Sequence, residues 1–252
     1  MYDAIILAGG EASGDLKSQS DQPWEALIPF AGKPMVSYVA DALAASGQVK
    51  RLIVAGSAAA LQGCPFPTGA QVVEGGGTIM ETVQLAVAAL GHSEKTIMAT
   101  ADIPLLTADG VNDFLSRCSV READLYYPVI AESDHEQAYP GSKRTFVRLR
   151  DGVFTGGNLF LFNPAIIPKT LALAEKIVSH RKNPLRLCQI IGWSFVMKFI
   201  FGMVSLEQAE KQVSDLLGIQ GAVIRSSYPE VGMDVDKISD YETVKAILSR
   251  HN

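Results

Sequence analysis

Over the first hundred residues, short apolar runs ending in glycine alternate with stretches whose apolar positions recur every three or four residues. Tyr2–Ala8 (YDAIILA) is apolar almost throughout and stops at Gly9-Gly10, as a strand buried on both faces would. Met35, Val36, Val39, Ala40, Leu43 and Ala44 then fall on one stripe of a helix, with Pro34 at its first turn and Gly47 just past its end. Arg51–Gly56 (RLIVAG), Gln71–Glu74 (QVVE) and Thr96–Ala101 (TIMATA) read as further strands. Between the last two, Thr78 and Glu81 form a capping box for a helix running to Leu90 and stopping at Gly91. Strands and helices alternating at this spacing predict a mostly parallel sheet covered on both faces.

Beyond residue 120 the pattern loosens. Thr145–Leu149 and Val153–Thr155 flank Arg150-Asp151-Gly152, the signature of a hairpin. Asn163-Pro164 opens another helix. Residues 184–218 read as helical throughout, with a Ser205/Gln208 capping box and Gly218 as the stop. Gln220–Arg225 returns to strand, and Ser239/Glu242 is the expected cap of a last helix. No repeat or low-complexity tract interrupts the chain. The expectation is one α/β domain spanning residues 1–252, with a C-terminal helical insertion at about 180–218.

Composition narrows the chemistry. Apolar residues make up 48% of the 252 positions and charged residues 19%, enough for a substantial core. A net charge of -5 disfavours nucleic acid as a partner. Cys64, Cys118 and Cys188 include no close pair, and His92, His135, His180 and His251 have no metal-ligand spacing. The N-terminus runs straight into a strand with no basic export signal, so a cytoplasmic location is expected. The apolar stretch Ile190–Val204 (IIGWSFVMKFIFGMV) is too short to span a bilayer. It reads as core packing, a homodimer contact within residues 184–204, or an apolar acceptor pocket.

Three readings compete for "ILAGGEASGDLKSQ" at residues 6–19. Gly9 and Gly14 have the spacing of a phosphate-binding P-loop, but Asp15-Leu16 stand where Lys and Ser or Thr are required. A dinucleotide fingerprint needs G-x-G-x-x-G opening a helix directly, which Gly9, Gly10 and Gly14 do not provide. Tyr139 and Lys143 mimic a dehydrogenase Y-x-x-x-K pair, but Pro140-Gly141 between them breaks the helix such a pair needs.

The third reading takes several segments together. "ILAGG", "ALIPFAGKPMVSYVADAL" (26–43), "GGGTIMETVQLAV" (75–87), "TADIPLLT" (100–107), "TGGNLFLFNP" (155–164) and "MDVDKISDYETV" (233–244) occur in the order found in the nucleotidyltransferase superfamily. The chain resembles a MobA-like NTP transferase domain over nearly its whole length apart from about 180–218. The resemblance implies a three-layer α/β/α fold with a mostly parallel mixed sheet, Rossmann-like and of the nucleotide-diphospho-sugar transferase type. It also implies transfer of NMP from an NTP to a small phosphorylated or hydroxylated acceptor, with Mg²⁺ as cofactor and pyrophosphate released. A nucleotide- or sugar-phosphate-binding module with little or no transfer activity is the alternative.

Roles follow from the same resemblance. Leu7, Ala8, Gly9 and Gly10 are the expected nucleotide-binding turn, where absent side chains let the backbone approach the ligand. Gly76, Gly77 and Thr78 stand at a helix N-terminus, suited to an anion or base, though Thr78 serves equally as a cap. Asp102, just past a strand end, is the expected metal-binding and catalytic aspartate. Asp234 and Asp236 lie two apart in an extended segment and share one face, so one or both could meet the ion. Gly157 and Asn158 resemble the acceptor loop. Lys143 and Arg144, an adjacent basic pair, are the candidate catalytic and acceptor-binding cations. Two family cations are missing: the loop carries Glu11-Ala12-Ser13-Gly14-Asp15 where an arginine is common, and Glu25 stands where a lysine usually precedes "ALIP". Lys17, Lys33, Lys143 and Arg144 are the candidates to replace them.

Overall fold

The computed structural model of the chain describes residues 1–12, 16–17, 19–180 and 190–250. Its centre is a nine-stranded mixed sheet. β1 (Tyr2–Ala8) lies between β4 (Val49–Gly56) and β6 (Thr96–Thr100), parallel to both, and β5 (Gln71–Glu74) extends the sheet beyond β4. The short strands β2 (Pro29–Phe30) and β3 (Lys33–Pro34) form a separate hairpin.

On the other side of β6 runs β10 (Leu159–Phe162), antiparallel to it and to β7 (Leu125–Ala131). β9 (Gly152–Gly156) continues along β7 and carries β8 (Val147–Leu149) as its hairpin partner, while β11 (Gly221–Ser226) pairs parallel with β7. β10 is the departure from a purely parallel order. Its reversed direction sets Leu159 opposite Ala99, so the preceding turn emerges beside the C-terminal end of β6.

Side-chain alternation in β1 assigns the helices to layers. Ala4, Ile6 and Ala8 meet α1 (Met35–Ala45) and α4 (Ala108–Cys118) through Val36, Val39, Leu43, Val111 and Phe114. Ile5 faces the opposite layer, where Ala86 and Leu90 of α3 (Ile79–Leu90) and Ile166, just before α6 (Ile167–His180), close over Ile53 and Phe162. The expected three-layer α/β/α arrangement is therefore the observed one. Two short helices, α2 (Ala58–Leu61) and α5 (Glu132–Ala138), complete the first two-thirds of the chain. No helix among the described residues is long and apolar enough to cross a membrane.

Two expectations are corrected by local geometry. The stretch 184–218 is not helical throughout: residues 181–189 lie outside the described set, and the remainder breaks between α7 (Trp193–Ile200) and α8 (Leu206–Leu217), the second carrying the expected Ser205/Gln208 capping box and Gly218 stop. Gly192 (φ 103°) and Gly202 (φ 64°) adopt left-handed backbone that ends a helix. Phe195 and Phe199 turn inward onto Val129, Leu149, Phe154 and Val204, whereas Trp193, Met197, Ile200, Phe201 and Met203 face outward. The last helix, α9 (Ile238–Leu248), is not capped by Ser239 and Glu242. Lys237 occupies the N-cap, and the Asp240 carboxylate accepts its N–H at 3.0 Å, putting Ser239 inside the first turn.

Candidate active site

The glycine turn is held by its own loop. Ala12 donates its N–H to the Pro23 carbonyl and Glu25 donates to that of Gly10, both within 3.0 Å, and Glu11 bridges Trp24. The loop folds back on itself, so Glu25 lands over Gly10: a β-carbon added there would stand 3.3 Å from Glu25 Oε2. Gly9 approaches Gly56 at the end of β4 and Thr82 of α3, and Gly75 at the end of β5 approaches the same two residues. Four strand ends, those of β1, β4, β5 and β6, thus open on one side, where open α/β sheets take ligands.

The α3 N-terminus has an explicit cap. Thr78 Oγ1 accepts the Glu81 N–H and Glu81 Oε2 accepts the Thr78 N–H, each at 3.1 Å. Gly76 donates to Thr82 Oγ1 at 3.0 Å, and its missing side chain is required, because a β-carbon would lie 2.3 Å from that of Glu81. Gly9, Gly10, Gly77 and Thr78 are exposed, Leu7 is half-buried and Ala8 is buried. The carboxyl group of the capping box already takes part of the positive end of α3.

The carboxylates gather. Asp102, Asp234 and Asp236 each offer an oxygen, and the three atoms lie within 4.8 Å of one another. Asp102 follows β6 by two residues; Thr100, on the same face of that strand, donates its hydroxyl to Asp102 Oδ1. Asp234 and Asp236 follow β11 through a short helical turn at Pro229–Gly232. Val235 between them is fully buried and donates its N–H to the Asp102 carbonyl at 2.9 Å, which turns the flanking carboxylates to the opposite side. Asp240 fixes this loop from beneath, accepting N–H groups of Asp236 and Lys237 at 3.3 and 3.0 Å.

Burial, and then the charge of Asp236, push the Asp102 carboxyl above its ordinary pKa, against the opposing pull of the Thr100 hydroxyl and Arg144. Burial and then the charges of Asp102 and Asp236 lift Glu25 to about 7. Glu25 therefore shares the field of the carboxylates as well as the glycine turn. Three oxygen donors converging in mutual repulsion suit a hard divalent cation such as Mg²⁺, which binds through one or two carboxylates and substrate phosphates.

The basic residues occupy the adjoining wall. Arg144 donates Nη1–H to Asp234 Oδ1, while its Nε–H is buried and has no partner among the described residues. A cleft of about 90 Å³ is lined by Lys143, Arg144, Thr145, Thr155 of β9, Asp234, Asp236, Lys237 and Asp240. Lys143 is exposed, and its carbonyl accepts from Lys237 Nζ at 3.5 Å. Asn158 is fixed by its main chain, donating to the Val231 carbonyl and accepting from Thr100, while its Nδ2 is buried without a partner among the described residues. Gly157 is buried against Pro128, Ile130 and Val231, a close approach that by itself accounts for glycine there. Tyr139 ends α5 and is buried, while Lys143 sits in the loop beyond, so no helix joins that pair.

Comparison with known proteins agrees with this layout. The profile of the MobA-like NTP transferase domain matches residues 4–183, well over half of the chain. The chain belongs to the MobA-like NTP transferase family. Among solved structures, a hypothetical transferase from Thermus thermophilus matches this family member with 33% identity and a TM-score of 0.84, covering 95% of this chain and 99% of that one. A CMP:2-keto-3-deoxy-manno-octonic acid synthetase complexed with CTP shares the fold at 14% identity, TM-score 0.65, with 99% of each chain covered. So does the 4-diphosphocytidyl-2C-methyl-D-erythritol synthase of Anaerococcus prevotii DSM 20548, at 13% identity, TM-score 0.59 and 98% of each chain. No curated protein matches.

Several contributors at this site of the MobA-like chain escape a reading of motifs. Thr100 and Asp240 act through short-range hydrogen bonds, to Asp102 and from the Asp236 and Lys237 N–H groups, in two segments that only the fold brings together. The position of Glu25 depends on the loop closing at Glu11 and Trp24. The local signals are the strand-end threonine two residues before Asp102 and the aspartate four residues after Asp236.

Proposed function

We propose that the protein is a Mg²⁺-dependent nucleotidyltransferase that moves NMP from an NTP to a small phosphorylated or hydroxylated acceptor, releasing pyrophosphate. One observation carries this reading: the oxygens of Asp102, Asp234 and Asp236 converge within 4.8 Å beside the exit of β1. Asp102 is the fixed member of the metal set, with Asp236 or Asp234 as its second. When bound, Mg²⁺ neutralises charge on the phosphate oxygens.

The chain's own groups do the rest. Leu7, Ala8, Gly9 and Gly10 form the wall against which the nucleotide lies, and Gly76, Gly77 and Thr78 offer the N-terminal end of α3. Lys143 meets charge that grows on the phosphate oxygens as the acceptor oxygen bonds to the α-phosphorus and pyrophosphate leaves. Asn158, whose Nδ2 is free to donate, and the Gly157 turn orient the acceptor on the opposite side. The outward apolar residues of α7 serve a homodimer contact. Residues 1–252 act as a single domain.

A nucleotide- or sugar-phosphate-binding module with little or no turnover is the second reading, favoured by the missing loop arginine and by Glu25 in place of a family lysine. Thermal shift with each of the four NTPs, with and without Mg²⁺, tests the first step. At least one nucleotide should stabilise the protein only with Mg²⁺, and Asp102→Asn should abolish that gain. Equal shifts in both proteins would remove Asp102 from the metal site. Coupled pyrophosphate detection across candidate acceptors then separates the two readings, because only a transferase releases pyrophosphate.

A further inference from the structure

Arg144 and Asp234 raise a question of division of labour. Three carboxylates are one more than Mg²⁺ ordinarily takes from a protein when it also holds substrate phosphates. Asp234 differs from the other two, because an Arg144 guanidinium N–H already rests on its Oδ1. Both side chains are largely enclosed, with 13% of Arg144 and 16% of Asp234 exposed, so water screens the pair little. A divalent ion on the same carboxylate would sit against the guanidinium charge.

The arginine is also under-used by the protein. It carries five N–H donors, yet its buried Nε has no acceptor among the described residues, and its side chain lines the cleft next to the carboxylates. A planar fork held at one end by a carboxylate presents its remaining donors in a fixed direction, an arrangement suited to phosphate. The other replacements for the missing loop cations are placed less well. Lys33 pairs with Asp41, lies over the Tyr38 ring and lines a separate cavity between α1, α4 and α9. Lys17 and Lys143 are exposed, as is the neighbouring Lys237.

We propose that Asp234 is a positioning residue rather than a metal ligand: it presents Arg144, and Arg144 supplies the phosphate contact that the glycine loop lacks. Asp102 and Asp236 then hold the metal alone. With one divalent ion bound, the three carboxylates and the guanidinium balance in charge, leaving the free guanidinium edge for the substrate's phosphate oxygens. This inference rests on the metal-site reading above and refines it.

The test uses two probes on the full chain stripped of metal: Mn²⁺ alone, followed by electron paramagnetic resonance, and inorganic tripolyphosphate with Mg²⁺, followed by calorimetry. Asp102→Asn and Asp236→Asn should lose Mn²⁺ binding. Asp234→Asn and Arg144→Gln should keep it within about threefold of wild type but bind tripolyphosphate about tenfold more weakly or worse. The double variant should be no weaker than Arg144→Gln alone, since Asp234 acts through the arginine. Arg144→Lys, which keeps the charge without the fork, should fall between and serves if Arg144→Gln does not fold.

Loss of Mn²⁺ by Asp234→Asn as complete as that of Asp102→Asn would overturn the proposal, making Asp234 a ligand. So would wild-type tripolyphosphate affinity in Arg144→Gln, or additive losses in the double variant. A wild-type protein that binds no Mn²⁺ would instead refute the metal site itself and take this division of labour with it.

Discussion

The Val235 N–H donates to the Asp102 carbonyl at 2.9 Å, so main chain, rather than side chains, sets the spacing between the two acidic loops. Bringing like charges together is unfavourable, and a rigid tie at their base is what keeps them from spreading. The tie has a neighbour that can be altered from a distance. A β-carbon on Gly232 would stand 2.7 Å from Ile130 Cδ1 and 3.1 Å from the Gly156 carbonyl; the side chain can turn aside, but the strand-end carbonyl is less free to move. Gly232→Ala should cost roughly 1–3 kcal/mol of stability. It should also weaken Mn²⁺ binding several-fold without touching a carboxylate. Denaturant melts and Mn²⁺ titration measure the two effects, and unchanged Mn²⁺ affinity would show that the tie does not set the spacing.

Glu25 makes stability depend on pH. Folded, its carboxyl holds a proton up to about 7; unfolded, it releases it near the ordinary 4.5. Between those values the folded state binds more protons, so this group's contribution is complete below 4.5 and is lost as pH rises to 7. Glu25→Gln should match wild type near pH 4 and be more stable by on the order of 2 kcal/mol at pH 8. Mg²⁺ should shrink the gap at pH 8 by relieving the repulsion from Asp102 and Asp236. Urea melts at the two pH values decide it; an equal difference at both would remove Glu25 from the carboxylate field.

Asp3 anchors the opposite end of β1. Its fully buried carboxylate receives Arg51 Nε and Nη2 at 2.7 and 2.8 Å, while Arg51 also donates to the Leu90 carbonyl. Burial alone would raise the Asp3 pKa, but bonds from Arg51 and Ser93 bring it below the usual value. Arg51→Met should destabilise the protein at neutral pH, leaving the buried carboxylate with the Ser93 hydroxyl and the half-exposed Lys50. The contribution is present above the ordinary carboxylate range and lost as pH falls through the lowered value. A thermal melt at pH 7 that shifts by less than a degree would contradict this.

The outward face of α7 should matter for assembly and not for folding. Ile200 and Phe201 are each 67% exposed. The double substitution Ile200→Asp and Phe201→Asp should change stability by no more than about 0.5 kcal/mol, since both side chains are at the surface. In light scattering, wild type should have the mass of two chains and the variant that of one. Two monomers would withdraw the dimer.

Much of this architecture was legible because its determinants are local. β1 shows itself by being apolar on both faces, and the α3 cap by Thr78 and Glu81 at fixed spacing. What escaped depends on distance. Leu159–Phe162 looks like any short apolar run until it is seen paired between β6 and β7. Ser239 and Glu242 carry the capping-box spacing, but the fold starts α9 two residues earlier, where the Asp240 carboxylate alone accepts the Lys237 N–H. The helical pattern of 184–218 concealed two glycines whose positive φ no periodicity reports. At the site, the acidic positions 102, 234 and 236 could be picked out by resemblance, and they do converge. The cost of that convergence, carried by Glu25, Thr100 and Arg144, could not be read, because it depends on burial.

The backward run of β10 has an architectural consequence. It returns the chain to the mouth of the sheet between segments that arrive by forward crossovers, so the turn at 156–158 is an inlay in a frame built from earlier sequence. On the proposed reading the frame, residues 1–102, would hold the nucleotide, and the inlay and its hairpin, residues 143–158, would flank the acceptor. A chimera exchanging only that inlay between relatives should exchange acceptor preference and leave the choice of nucleotide untouched.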